Sequence, residues 1–127
     1  LAEEELIERI IVHGGAETKA KMVKLGLRNG YSCSVSSAAV RVETEGETVR
    51  DIRIALGGVA PTPIRAYSCE KAFHGEKLNK DSISALAEKV AEDIRPITDV
   101  QGTAEYRMEI AKTQVRQALA GAVGMEV

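Results

Sequence analysis

Apolar and polar positions alternate along Thr18–Arg28 (TKAKMVKLGLR), with Met22, Lys24, Gly26 and Arg28 on one side and Val23, Leu25 and Leu27 on the other. A period of two is that of a strand with one buried face. Val35–Glu43 (VSSAAVRVE) reads as the next strand, and the small residues in its first half imply a crowded neighbour. Thr48–Leu56 (TVRDIRIAL) alternates again, with Val49, Asp51, Arg53 and Ala55 on one face and Arg50, Ile52, Ile54 and Leu56 on the other. Arg50 opens the apolar face and marks its solvent edge. The turn signals Asn29-Gly30 and Glu45-Gly46-Glu47 separate these runs. Short polar turns favour antiparallel pairing. Upstream, Leu6–Val12 (LIERIIV) is enriched in β-branched residues and reads as a strand, although the glutamates before it are also suited to capping a short helix. His13-Gly14-Gly15-Ala16 then breaks the run.

The period changes after Gly57-Gly58-Val59-Ala60-Pro61-Thr62-Pro63-Ile64-Arg65-Ala66. Two glycines allow positive φ or close backbone approach, and two prolines remove donors and hold the residues before them extended. The stretch is a shaped connection: a turn at a class boundary, or a loop whose backbone faces a ligand or partner. Beyond it, Ser68–Phe73 fits a short helix with Ser68 as N-cap, ended by His74-Gly75. Asp81 is placed to cap the next helix, in which Ile83, Leu86, Ala87, Val90 and Ile94 share one face before Pro96 stops it. A last helix runs from about Thr103 to Ala120, with Met108, Ala111, Val115, Ala118 and Leu119 as its buried stripe and Gly121 and Gly124 at its end. Strands first and helices second predict an α+β fold, an antiparallel sheet of three to four strands in the N-terminal half with about three helices of the C-terminal half packed on one face.

Length and composition bound this picture rather than change it. A chain of 127 residues suggests one domain, 1–127, that buries roughly two thirds of its unfolded surface. A hydrophobic content of 44% and a charged content of 28% are ordinary for a globular domain. A net charge of −2 and 3% aromatics give no reason to expect nucleic acid or an anionic membrane. No apolar run approaches the ~20 residues of a membrane span. The N-terminus is acidic without the shape of a signal peptide, and a first residue of Leu suggests a fragment. Cys33 and Cys69 are too few for a zinc or iron–sulfur site by themselves. Two free thiols in a reducing, cytoplasmic compartment are expected, and a disulfide between them stays open.

Catalytic constellations are absent from the residue pattern. His13 and His74 lack a second ligand at metal-binding spacing and read as turn or surface histidines. The serines at 32, 34, 36 and 37 have no base near them in sequence, and neither a nucleophile elbow nor a P-loop occurs. Glu105-Tyr106-Arg107 reads as a surface charge pair with a half-buried Tyr, or as an anion holder. Lys24 and Arg28 are the most suggestive pair. On one strand face four residues apart, they would sit about 13 Å from each other, too far for one phosphate but suited to a longer anionic ligand or to a neighbouring carboxylate. A solvated basic face is the plain alternative.

Three stretches together resemble one family: Lys24-Leu25-Gly26-Leu27-Arg28 with the small-residue strand after it, Asp51–Ala66, and Gly102-Thr103-Ala104-Glu105-Tyr106-Arg107 leading to Ala118-Leu119. Their order and spacing are similar to the C-terminal domain of the FAD-binding medium subunit of molybdenum hydroxylases, the group that includes xanthine dehydrogenase and carbon monoxide dehydrogenase. Glu5–Ile10 resembles the strand by which that family leaves its FAD domain, so residues 1–15 would be the exit strand of an upstream FAD-binding domain. His13-Gly14-Gly15 departs from the family's proline-containing exit. The resemblance implies a parent enzyme that hydroxylates its substrate at a molybdenum cofactor and passes electrons through iron–sulfur clusters to FAD. It places molybdopterin and the clusters on partner subunits, and the glycine-rich FAD loops upstream. This chain would then be non-catalytic alone, would not retain FAD by itself, and would cover one edge of the flavin while supporting subunit packing. In the family the lysine matching Lys24 lies near the flavin; Arg28 would support it by charge or by holding the domain contact. The alternative is a stand-alone interaction or oligomerisation module with the same fold.

Overall fold

The sheet is fully antiparallel, with its strands in chain order. β1 (Lys19–Gly26), β2 (Ser34–Glu45), β3 (Thr48–Gly57) and β4 (Ile64–Arg65) precede α1 (Tyr67–Phe73), α2 (Lys80–Asp93) and α3 (Ala104–Val123). The computed structural model describes residues 2–11 and 19–126. The expected α+β arrangement is thus the observed one.

Pairing fixes the two faces of the sheet. The rows Lys21–Val40–Ile54 and Val23–Ala38–Leu56 point to one side. Their β2 and β3 members are buried against the helices, together with Val42 and Ile52. α3 lies across β1 and β2, α2 packs on α3, and α1 bridges α2 to β3. The α2 stripe behaves as its spacing predicts: Ile83, Leu86, Ala87, Val90 and Ile94 are all buried. On α3, Ala111, Val115, Ala118 and Leu119 are buried and Met108 packs partly against the core. The rows Met22–Ala39–Ala55 and Lys24–Ser37–Gly57 point to the open side. The small residues of β2 therefore serve both faces. Ser36 is buried under α3, where its Oγ donates to Gln114 Oε1 at 2.7 Å, while Ser37 and Ala39 keep the open face low.

Several local readings are corrected. Val49 is buried and Arg50 exposed, the reverse of strict alternation. The register slips between Glu43 and Thr44, so that Asp51 faces Glu43 and Val49 faces Thr44 with Arg50 left over. That bulge shifts the phase of β3 by one residue and turns Arg50 outward. Asn29-Gly30 is not a two-residue hairpin but the middle of a longer loop over residues 27–33, because Gly26 pairs with Ser34. Ser68 does not cap α1: the N-cap is Ala66, and the carboxylate of Asp93 accepts from the Ser68 and Cys69 N–H groups, both at 3.1 Å. α2 is capped by Asn79 in a reciprocal box with Ser82, and Asp81 sits in its first turn. Thr103 caps α3 as expected, by accepting from Tyr106 N. Gly121 lies inside that helix, against the stem of Lys21, and Gly124 at φ +73 ends it. Residues 6–11 form neither strand nor helix and are exposed. Val12 and His13–Ala16 lie outside the described residues. Cys33 and Cys69 are both free, the first exposed and the second buried.

Candidate functional site

The Lys24 and Arg28 side chains meet in one cleft. β1 stops at Gly26 because the chain folds back there onto Ser32. A Cβ on Gly26 would stand 2.7 Å from Ser32 Oγ, so a larger residue there would displace the Ser32 side chain. Ser32 Oγ accepts from Leu27 N at 3.0 Å and donates to Cys33 O at 3.1 Å, which fixes the return. Lys24 Nζ donates to Ser32 O at 2.8 Å. Arg28 donates to Tyr31 O through Nε at 3.2 Å and Nη2 at 2.5 Å. Tyr31 holds a positive φ of 45° and its ring is fully exposed. The result is a cavity of about 360 Å³ bounded by Lys24, Gly26, Arg28, Tyr31 and Ser32. The expectation that Lys24 and Arg28 lie four residues apart on one extended strand is therefore corrected: Arg28 belongs to the loop, and the bend brings both cations to one site.

The charge of this cleft is uncompensated. Its lining contains no carboxylate, and among the described residues neither cation makes an ion pair. Each is oriented by a neutral carbonyl rather than by a carboxylate. Beside Lys24 the open sheet face is low. Ser37 and Gly57 follow it across the sheet, and a Cβ on Gly57 would stand 2.7 Å from Ser37 Oγ. Ala39 and Ala55 form the next row, with Met22 exposed at its end. A cationic rim next to a flat strip can hold the edge of a planar, electron-rich ring. Sequence reasoning missed Tyr31; its signal was an aromatic side chain directly after Asn29-Gly30 in a chain with only three tyrosines.

Arg107 is not the surface residue that the Glu105-Tyr106-Arg107 triple suggested. It is buried, and Nη1 donates to Val35 O at 3.0 Å and to Gly58 O at 2.7 Å. Nη2 donates to Asp99 Oδ1 at 2.5 Å. The Asp99 carboxyl is held below its ordinary value, first by the N–H of Gln101 and then by Arg107. Gly58 has φ +77 and touches Val35 O, where a Cβ would come within 2.7 Å. Arg95 N donates to Val59 O at 3.0 Å. The Gly57–Ala66 connection is thus clasped from α3 and from the α2–α3 linker, and Ala66 N returns to Ile54 O at 2.9 Å. His74 is exposed at the end of α1, and His13 is outside the described residues. Among the described residues no helix is long and apolar enough to cross a membrane.

Residues 21–122 match the CO dehydrogenase flavoprotein C-terminal domain. The chain belongs to that family. Curated relatives include the glyceraldehyde dehydrogenase medium chain of Sulfolobus acidocaldarius, 34% identical over 116 residues that cover 90% of this chain and 40% of the relative. A putative xanthine dehydrogenase FAD-binding subunit of Escherichia coli K12 is 26% identical, over 79% of this chain and 34% of the relative. Among solved structures, carbon monoxide dehydrogenase from Hydrogenophaga pseudoflava, in a form lacking the Mo-pyranopterin moiety of its molybdenum cofactor, superposes with a TM-score of 0.81. It is 33% identical, covering 87% of this chain and 38% of that one. The family member described here spans between about a third and two fifths of the length of these relatives.

Proposed function

We propose that this chain is the C-terminal domain of the FAD-carrying medium subunit of a molybdenum-dependent hydroxylase, and that Lys24 and Arg28 face one edge of the flavin. The single observation that carries the reading is the uncompensated cationic cleft beside a flat strip of sheet. Both features suit a planar ring that gains negative charge on reduction. FAD supplies electron storage when bound; this chain's own residues orient the ring, shield one edge and favour its charged form. The family match and the FAD-binding relative support the assignment. The main FAD contacts, including those to its pyrophosphate, are assigned to an upstream domain, with iron–sulfur and molybdenum subunits as partners in a cytoplasmic complex. Residues 1–15 would enter from that upstream domain, which gives the exposed Leu6, Ile7, Ile10 and Ile11 an apolar surface to cover.

The test is made in the full subunit. Lys24→Ala is expected to lower flavin content or slow flavin oxidation and reduction, with circular dichroism and thermal midpoint unchanged. Unchanged flavin content and turnover would remove Lys24 from the site. Stoichiometric, tight FAD binding by the 127-residue chain alone would overturn the division of labour itself. A stand-alone interaction module would leave the full-length gene product without flavin.

A further inference from the structure

A second cationic cleft, of about 320 Å³, lies where β3, β4 and α1 meet. It is remote from the first. On β3, Arg53 is four residues, about 13 Å, from Gly57, which is itself two strands across from Lys24. Arg50, Arg53, Arg65, Lys71 and His74 line it. The two carboxylates in its wall are already engaged. Glu70 accepts from Arg65 Nε at 2.7 Å and Nη2 at 2.6 Å, and from Ile54 N at 2.8 Å. Asp51 Oδ2 accepts from Arg41 at 3.1 Å and from Arg53 at 3.2 Å.

Two features make this more than a scatter of surface charge. The Arg65 guanidinium is fixed by the bidentate bond to the nearly buried Glu70 and lies 5.1 Å over the Tyr67 ring. Its Nη1 makes no hydrogen bond among the described residues, so a preset donor remains for a ligand. Arg50 is the bulged residue of β3, turned outward where regular alternation would bury it. Arg50 and Lys71 pair with no acid among the described residues. Planar guanidinium donors and point-charge lysines together suit phosphate oxygens.

We propose that this cleft binds a small phosphate-bearing ligand, with Arg65 as the fixed donor and Arg50 and Lys71 as the mobile cations. Its volume is at the small end for a ligand pocket and matches a diphosphate better than a larger molecule. An acidic peptide is disfavoured: β4 has only two residues, so the sheet edge offers too little main chain for an added strand.

Isothermal titration calorimetry with inorganic pyrophosphate, against sodium chloride of equal ionic strength, tests this. The chain should bind pyrophosphate, and the double variant Arg50→Gln, Lys71→Gln should bind at least about tenfold more weakly with its thermal midpoint unchanged. The double variant Lys24→Ala, Arg28→Ala should bind as the parent does. No binding, equal binding by the Arg50/Lys71 variant, or loss confined to the Lys24/Arg28 variant would each overturn the assignment. Tighter binding of hexaglutamate than of pyrophosphate would overturn it in favour of a protein partner. None of these results bears on flavin content, so the two assignments fail separately.

Discussion

Replacing Arg107 with Met keeps the apolar stem and removes every hydrogen bond that clasps the Gly57–Ala66 connection to α3. The residue is 4% exposed, so water cannot replace the lost donors without entering the core. Two carbonyls, Val35 O and Gly58 O, lose the donor that reaches them at 3.0 and 2.7 Å. An unsatisfied buried acceptor costs about 1–3 kcal/mol, so the two carbonyls together cost roughly 2–6 kcal/mol, while the solvent-exposed Asp99 carboxylate is rehydrated when its partner is lost. Relief arises from one source: the buried Nε, which has no partner among the described residues, is removed too. The expected loss is therefore about 3 kcal/mol. At roughly 4 °C per kcal/mol for a chain of this size, the thermal midpoint should fall by about 12 °C. Urea unfolding of Arg107→Met measures the loss directly, provided that the slope matches the parent's. A loss below about 1 kcal/mol with that slope unchanged would refute the clasp. The carboxyl side has its own signature. Asp99 is held below its ordinary value of 3.8, so its contribution is present above that pH and is lost as pH falls through the lowered folded value. In Arg107→Met part of that acid-side dependence should vanish, while the part due to the Gln101 N–H remains.

Gly58→Ala places a Cβ 2.7 Å from Val35 O at φ +77, so it should cost more than the about 1–2 kcal/mol of left-handed strain alone; a stability within 0.5 kcal/mol of the parent, taken as roughly the scatter of surface changes, would show that the backbone shifts freely there. A thiol reagent at mild pH should modify one cysteine per folded chain, the exposed Cys33, and both only in denaturant. Burial, reinforced by Asp93 and Glu70, pushes the Cys69 thiol up to about 12 from 9.0, so its stabilising contribution is present below pH 9 and is lost as pH rises from there towards 12. Cys69→Ala should flatten the alkaline limb of stability against pH.

What the residue pattern revealed, and what it concealed, divides by range. The α2 stripe from Ile83 to Ile94 and the apolar face of β3 from Ile52 onward are local periodicities, and both are found buried. The phase of β3 before Ile52 was hidden because a bulge depends on the partner strand, and nothing in Val49-Arg50-Asp51 itself announces that Glu43 will face Asp51. The capping of α1 was hidden for the same reason. Ser68 has a suitable side chain, but the carboxylate that reaches α1 comes from Asp93, 25 residues away. Arg107 was misplaced at the surface because its acceptors are 49 and 72 residues distant in sequence. At the candidate site the residue types were legible and the geometry was not. Lys24 and Arg28 stand out as cations on a strand pattern, yet the bend at Gly26 depends on contact with Ser32 across the loop.

The Gly57–Ala66 connection joins the two clefts physically. Gly57 closes the row that begins at Lys24, and Arg65 supplies the fixed donor of the cleft at β3, β4 and α1. Between them β4 pairs only Ala55 with Arg65 and Leu56 with Ile64, which is too short a ladder to hold the segment by itself. Arg107 on Gly58 and the Arg95 N–H on Val59 hold its first half; the Glu70 carboxylate on Arg65 and Ile54 holds its last. The segment is therefore a frame shared by both sites, with its restraints split between its ends. Loosening the Arg107 end should disturb the strip beside Lys24 more than the Arg65 donor, because Glu70 keeps its own bonds to Arg65 and to Ile54 N when Arg107 is gone. In the full subunit, Arg107→Met at a temperature where it remains folded should thus perturb flavin content before pyrophosphate binding. Simultaneous loss would mean that the frame moves as one rigid piece, and loss of pyrophosphate binding first would refute the assignment of Arg107 to the Lys24 end.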